Sequence, residues 1–201
     1  MYKRQDSSSE VYRRREVLSN DVDELRRRLD LWSDAQRRWV HLDAIFGSNV
    51  DIGDRLPQAK NAFSDGSRTF DRCRDDCLES CRVRALLEVA ALPESLEAVS
   101  RLFGDAQRWL GEFLESMRSE FPRFYFVGDD DLLGMLGGGI DGARPHLTKM
   151  FAALRDVSGG RMSSADGEDV PLTGSLDESS CVAWLSSLAV SYTHLTLPTK
   201  A

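Results

Sequence analysis

Leu96, Val99, Phe103, Ala106, Leu110, Phe113 and Met117 recur in alternating steps of three and four residues. That spacing predicts one long helix with an unbroken apolar seam. Such a seam is stable only against other helices, so the chain around it must supply them. Pro93 and Ser95 sit where a helix of this register would open. This pattern places the chain among helical bundles before any other feature is weighed.

The flanking sequence supplies the partners. Val22, Leu25, Leu29, Trp32, Trp39, Leu42 and Phe46 recur at near-helical spacing, with arginines between them. Ser19, Asn20 and Asp21 offer N-cap chemistry, so this helix is expected to run from there to Gly47, with the polar stretch from Asp6 to Asn20 either a helix continuing from upstream or a frayed end. A loop is expected from Ser48 to Arg55. Pro57 then opens a further helix, striped by Ala59, Phe63, Phe70, Cys73 and Cys77 and interrupted at Gly66. The aromatic run Phe121-Pro122-Arg123-Phe124-Tyr125-Phe126 must pack against something, because each ring carries a large apolar area. It is expected to be extended, since proline disfavours helix in the residue before it. Asp129, Asp130 and Asp131 would cap a short helix that Gly137-Gly138-Gly139 ends. A helix is expected over 144–157, a hairpin over 161–172 around Asp166-Gly167, and another helix from Cys181 to Leu188. The fold class is therefore all-α, with one small β-hairpin.

The two ends of the chain have another origin. Met1-Tyr2-Lys3-Arg4-Gln5 and Val190-Ser191-Tyr192-Thr193-His194 back-translate to one DNA string read in opposite orientations. That string resembles the transposon end used in sequencing libraries, and Leu195-Thr196-Leu197-Pro198-Thr199 resembles the rest of such an adapter. Residues 1–5 and about 190–201 are expected to be translated adapter, with 6–189 an open-ended piece of a longer protein. The formal net charge is -7, and the stretch between the ends is more acidic still, because the ends hold Lys3, Arg4 and Lys200 but no acid. An acidic chain is a poor general ligand for nucleic acid or anionic membrane. No apolar run is long enough to span a bilayer. The four cysteines form no secreted-type framework, which points to a reducing compartment.

Candidate chemistry is sparse. Gly137, Gly139 and Gly142 match the letter of a dinucleotide fingerprint, but a helical segment precedes them where that motif needs a strand. No phosphate-binding loop of the Gly-x-x-x-x-Gly-Lys type occurs. Cys73, Cys77 and Cys81 share a helix face, with no nearby fourth ligand at zinc spacing, and read as small buried residues. His41 and His146 fit no nucleophile or general-base arrangement. The aspartate run lacks the interleaved ligands of a calcium loop. No catalytic, cofactor or metal residue is expected.

Trp39-Val40-His41-Leu42-Asp43-Ala44-Ile45-Phe46 resembles a signature of the linker region of dynein heavy chains. Asp51-Ile52, Leu56-Pro57, Leu114-Glu115, Arg118 and the block from Phe121 through Asp129 to Leu132 and Leu133 follow in the order of that family. Pro145-His146-Leu147 with Lys149 and Phe151, Gly167-Glu168 with Val170, and Trp184-Leu185 extend the resemblance, which covers about Leu29 to Leu188. Phe126-Val127-Gly128-Asp129 looks more like the cytoplasmic heavy chains than the axonemal ones, Asp129-Asp130-Asp131 and the short stretch from Ser163 to Trp184 look closest to the intraflagellar-transport type, and Pro145-His146-Leu147 pulls toward axonemal chains. Gly134 stands where the family usually has Glu, and Gly137 to Gly139 loosens the same stretch.

The resemblance implies part of an elongated helical lever that couples the nucleotide state of an ATPase ring to a stroke along microtubules. The fragment itself then carries no active site and no cofactor, ATP and magnesium belonging to the parent's ring. Implied partners are the AAA ring of the same heavy chain, intermediate and light chains through the tail, and the microtubule through the stalk, with no nucleic acid and no membrane span. The implied location is cytoplasm and cytoskeleton, with the cilium as a second site. Trp39, Leu42, Ile45, Phe46, Phe121, Pro122, Arg123, Phe124, Tyr125, Phe126, Asp129, Leu132, Leu133 and Trp184 are the expected marker and packing residues. The competing reading is a non-motor helical scaffold or protein-interaction module.

Overall fold

The computed structural model describes residues 3–47, 50–79, 83–164, 168–172 and 176–192, with only the backbone of 3–8, 50, 51 and 85. Helix α1 spans Lys3–Phe46, α2 Val50–Arg55, α3 Pro57–Leu78, α4 Ala85–Glu88 and α5 Leu92–Glu120. A 3₁₀ turn at Pro122–Phe126 leads into α6, Asp129–Ala143, and α7 is Leu147–Met150. Strands β1 (Leu154–Ser158), β2 (Arg161–Ser164) and β3 (Asp169–Pro171) form an antiparallel sheet in the order β1-β2-β3, and α8 spans Cys181–Tyr192. The fold is thus helical with one small sheet. It divides into two compact units, one of residues 1–44 and 57–108, the other of 45–56 and 109–201.

In the first unit, the inward stripe of α1 is Leu25, Arg28, Trp32, Ala35, Trp39 and Leu42, while Val22 and Leu29 face solvent. Arg28 occupies an apolar position because its guanidinium donates to the carbonyls of Leu86 and Val89 at the end of α4. Trp32 meets Phe70 in a tilted contact with centroids 5.3 Å apart, and Trp39 donates its indole N–H to Ser67 Oγ at 3.1 Å. Leu96, Val99, Phe103 and Ala106 of α5 are fully buried. Beyond Leu110 burial passes to Leu114, with Phe113 and Met117 only partly covered. A straight helix drifts by about 20° per heptad against a strict repeat, and this shift is that drift.

Several expectations are corrected. The first long helix does not start at Ser19–Asp21: α1 is continuous from Lys3, since cap-forming residues permit a start without forcing one. The stretch expected as a loop holds α2, whose Ile52 is fully buried, and six residues are too few to show a period. Gly66 does not interrupt α3. It is a close-approach site, where an added Cβ would lie 2.5 Å from the Phe103 ring.

The aromatic run is not extended. Phe121 alone is (φ -129, ψ 94), because the proline restriction acts on one residue, and Pro122 itself opens the 3₁₀ turn. The triple glycine does not end α6 but kinks it at Gly139 (φ 60, ψ -141). Nor is 144–157 one helix. Three-residue steps persist into β1 because a β-bulge at Arg155 puts Leu154 and Val157, three apart, on one buried side, imitating a helical period. Gly159 and Gly160, both at positive φ, close the β1–β2 hairpin as a two-residue turn. The β2–β3 hairpin forms as expected, but Asp166-Gly167 lies outside the described residues. Helix α8 continues past Leu188 and Ala189 to Tyr192.

Candidate functional site

The marker residues of the second unit converge on the turn between α5 and α6. Phe124 is fully buried and Phe121 nearly so, their rings meeting edge-on at 5.0 Å. Backbone bonds from Phe124 N–H to Phe121 O and from Val127 N–H to Phe124 O, both 3.0 Å, hold the turn. Leu132 and Leu133 of α6 and Trp184 of α8 join the same core, as do Ile45 and Ile52. Phe46 packs on its edge. Trp39 and Leu42 belong to the first unit and are not part of this assembly. The expectation that the whole run packs is corrected: Tyr125 is 57% and Phe126 69% exposed, and Pro122 is exposed too. A 3₁₀ helix has three residues per turn and sends every third side chain inward, so Phe121 and Phe124 enter the core and the rest cannot.

Charged groups lock the turn. Arg123 donates to the Met150 carbonyl at 2.7 Å, and its guanidinium lies 4.6 Å from the Phe151 ring centre and 5.2 Å from that of Tyr192. Arg118 donates to Asp129 at 2.5 Å and to the Val127 carbonyl at 3.4 Å. The residue capping α6 is Gly128, without a side-chain bond, so the aspartates act otherwise than as caps. Asp129 pairs with Arg118, and Asp131 with Lys149 at 2.5 Å. The hydrogen bond from Lys149 holds the Asp131 carboxyl below its usual pKa. His146 Nδ1 lies 3.8 Å from Asp131 Oδ1 and has no hydrogen-bond partner among the described residues. The Tyr125 hydroxyl donates to Glu115 at 2.5 Å, and that bond raises its pKa.

The glycines of the apparent dinucleotide motif have structural work. Gly139 makes the kink, and at Gly142 an added Cβ would lie 2.8 Å from the Gly134 carbonyl, where the two limbs of α6 close on each other. The kink borders a cleft of about 410 Å³ lined by Met117, Gly137 to Ile140, Cys181 and Arg55, with Glu120, Asp141 and Glu178 around it. Cys181 is a poor nucleophile there, its thiol pushed up to about 11 by burial. Burial likewise raises Cys73 and Cys77, and Cys81 lies outside the described residues. Among the described residues no group of three His, Cys, Asp or Glu is placed to hold a metal ion. Among them, too, no helix is long and apolar enough to cross a membrane.

Sequence reasoning missed Arg144, which donates to Val157 O at 2.7 Å and covers the Trp184 ring at 5.9 Å. An arginine before proline carries no periodic signal. It also missed Tyr192, whose ring meets Phe151 at 5.1 Å and lies in the stretch that resembles adapter DNA. Only packing exposes that contact.

The arrangement defines a helical packing element in which arginines tie loops to aromatic cores. Its sequence places it further: residues 6–194 match the family described as dynein heavy chain, N-terminal region 2, and the chain belongs to the dynein heavy chain family. It is 39% identical over 150 residues to a cytoplasmic dynein heavy chain of Drosophila melanogaster, covering 70% of this chain and 3% of that one. Against the Dictyostelium discoideum cytoplasmic heavy chain it is 37% identical over 158 residues, 74% of this chain and 3% of that one. Against cytoplasmic dynein 2 heavy chain 1 of Homo sapiens it is 36% identical over 165 residues, 77% and 4% of the two chains. The chain thus spans only a few hundredths of the length of these relatives.

Proposed function

We propose that this chain is part of the mechanical linker of a dynein heavy chain, the lever that converts nucleotide changes in an ATPase ring into movement along a microtubule. The observation that carries the reading is the match of residues 6–194 to N-terminal region 2 of the family. The physical character of the chain supports it. A lever needs well-packed helices, and the seam of α5 and the arginine-clamped junction provide them. On this reading the fragment is not itself an enzyme. ATP and magnesium act in the ring, the AAA ring is the direct partner, and tail-bound chains and the microtubule meet other parts of the parent. Cytoplasm and cytoskeleton are the expected location, with the cilium where the parent is of the dynein 2 kind. Nothing favours the non-motor scaffold. Translated adapter at residues 1–5 and about 190–201 is a separate proposal, against which the family match runs on to residue 194 and Tyr192 packs on Phe151; resequencing the source transcript decides it, and an uninterrupted natural read through Val190 would overturn it.

The test is a chimera. Residues 6–189 replace the matching segment of a cytoplasmic dynein heavy chain, and a second chimera carries a flexible Gly-Ser segment instead. The lever reading expects the first to turn over ATP and glide microtubules, and the second to turn over ATP without gliding. Equal gliding by both would sink it.

A further inference from the structure

Phe126 and Tyr125 stand out because they are exposed on a turn whose other aromatic rings are buried. Phe126 is 69% exposed although the turn beneath it is fixed by backbone bonds and by Phe121 and Phe124. Acidic residues lie close to it along the chain and at its neighbour Tyr125. Tyr125 is tied to Glu115, while Asp129 and Asp130 follow three and four residues after Phe126, both exposed. Arg118 faces Asp129 but is itself mostly buried, its side chain 16% exposed. Asp130 has no ion-pair partner among the described residues. An exposed ring with negative charge beside it is costly to leave in water and attractive to one kind of surface.

We propose that Tyr125 and Phe126 form a docking ledge for a cationic amphipathic helix, whose apolar side covers the two rings and whose Lys or Arg residues reach Glu115, Asp129 and Asp130. The ledge is preorganised, so little ordering cost is met on binding. Charge selects the partner: an acidic helix of equal apolar content would be repelled, and so would a second copy of this chain, with its formal net charge of -7. The ledge stands whether or not the chain acts as a lever, because it rests on exposure and charge alone.

The test uses the full 201-residue chain and two fluorescent helical peptides of about 18 residues, long enough to hold a helix, one of leucine and lysine, one of leucine and glutamate. Anisotropy should show binding of the lysine peptide alone, weakened by salt. Phe126→Ser should weaken it about tenfold, as loss of a central aromatic anchor does, and Asp130→Lys should weaken it while leaving the thermal transition unchanged. Unchanged affinity in Phe126→Ser would overturn the ledge as the site. Equal binding of the glutamate peptide would overturn the charge argument. Concentration-dependent self-association of the parent that Phe126→Ser abolishes would overturn the proposal in favour of a second copy as occupant.

Discussion

At the scale of single residues, the glycines separate cleanly by what surrounds them. Gly66 of α3 lies against the buried Phe103 ring, which leaves 2.5 Å for a new Cβ. A helix-interior alanine is worth about 1 kcal/mol over glycine, but crowding a packed core costs about 1–3 kcal/mol, so the clash prevails. Gly66→Ala should therefore lower stability by about 1–2 kcal/mol in urea titrations, and adding Phe103→Leu should recover part of that loss. Gly134 of α6 is the opposite case. It is exposed, a Cβ there meets nothing within 4 Å, and the family resemblance has Glu in its place. Gly134→Ala should stabilise the chain by up to about 1 kcal/mol. Gly142→Ala should destabilise it, because the obstructing atom is the Gly134 carbonyl and backbone cannot swing aside. A gain at Gly142 or a loss at Gly134 would show that the two limbs of α6 do not close as described.

At the scale of elements, α1 is held to the segment around α4 by one cluster. Glu24 accepts from Arg27 at 2.9 Å and from Arg28 at 2.6 Å, and Arg28 reaches on to the carbonyls of Leu86 and Val89. The bonds from Arg27 and then Arg28 lower the Glu24 pKa from 4.5 to about 2. A depressed carboxylate pKa contributes stability that is present above the unfolded value and lost as pH falls through the folded one. Glu24→Gln should therefore lower the melting temperature near neutral pH, and the difference from the parent should close between about pH 4.5 and 2. High salt should shrink it, since the pair is open to solvent. A gap that persisted at the acid end would mean that Glu24 acts through packing. The same scale shows what sequence could and could not reveal. The α5 seam was readable because seven apolar positions repeat, and α3 because Pro57 marks its start. Helix α2 was not, since its evidence is one residue, Ile52, buried by partners far along the chain. Strand β1 was actively misleading, because the bulge at Arg155 writes a helical spacing into a strand. In the candidate site the order of marker residues was legible, but not that Phe124 is buried while Phe126 is bare. Burial inside a five-residue turn depends on which φ/ψ the turn adopts, and Pro122 admits more than one.

At the scale of the whole molecule, each compact unit carries its own buried thiol. Cys73 is in the core of the first unit and Cys181 in that of the second, 6% and 8% exposed. Cys77, one helical turn from Cys73, is half-buried. Thiol reagents attack the thiolate, so burial slows them twice, by blocking access and by raising the pKa, to about 11 for Cys181. Both effects vanish when the surrounding unit opens, and the labelling rate then reads the opening free energy of that unit alone. With Cys81 replaced by Ser, labelling followed by mass spectrometry should modify Cys77 first in native buffer and spare Cys73 and Cys181. Rising urea should release the two protected thiols, and Gly66→Ala should release Cys73 at lower urea, since Gly66 and Phe103 lie in its own unit. Gly142→Ala should do the same for Cys181. Native labelling of Cys73 or Cys181 as fast as Cys77 would mean that the core holding that thiol is not closed.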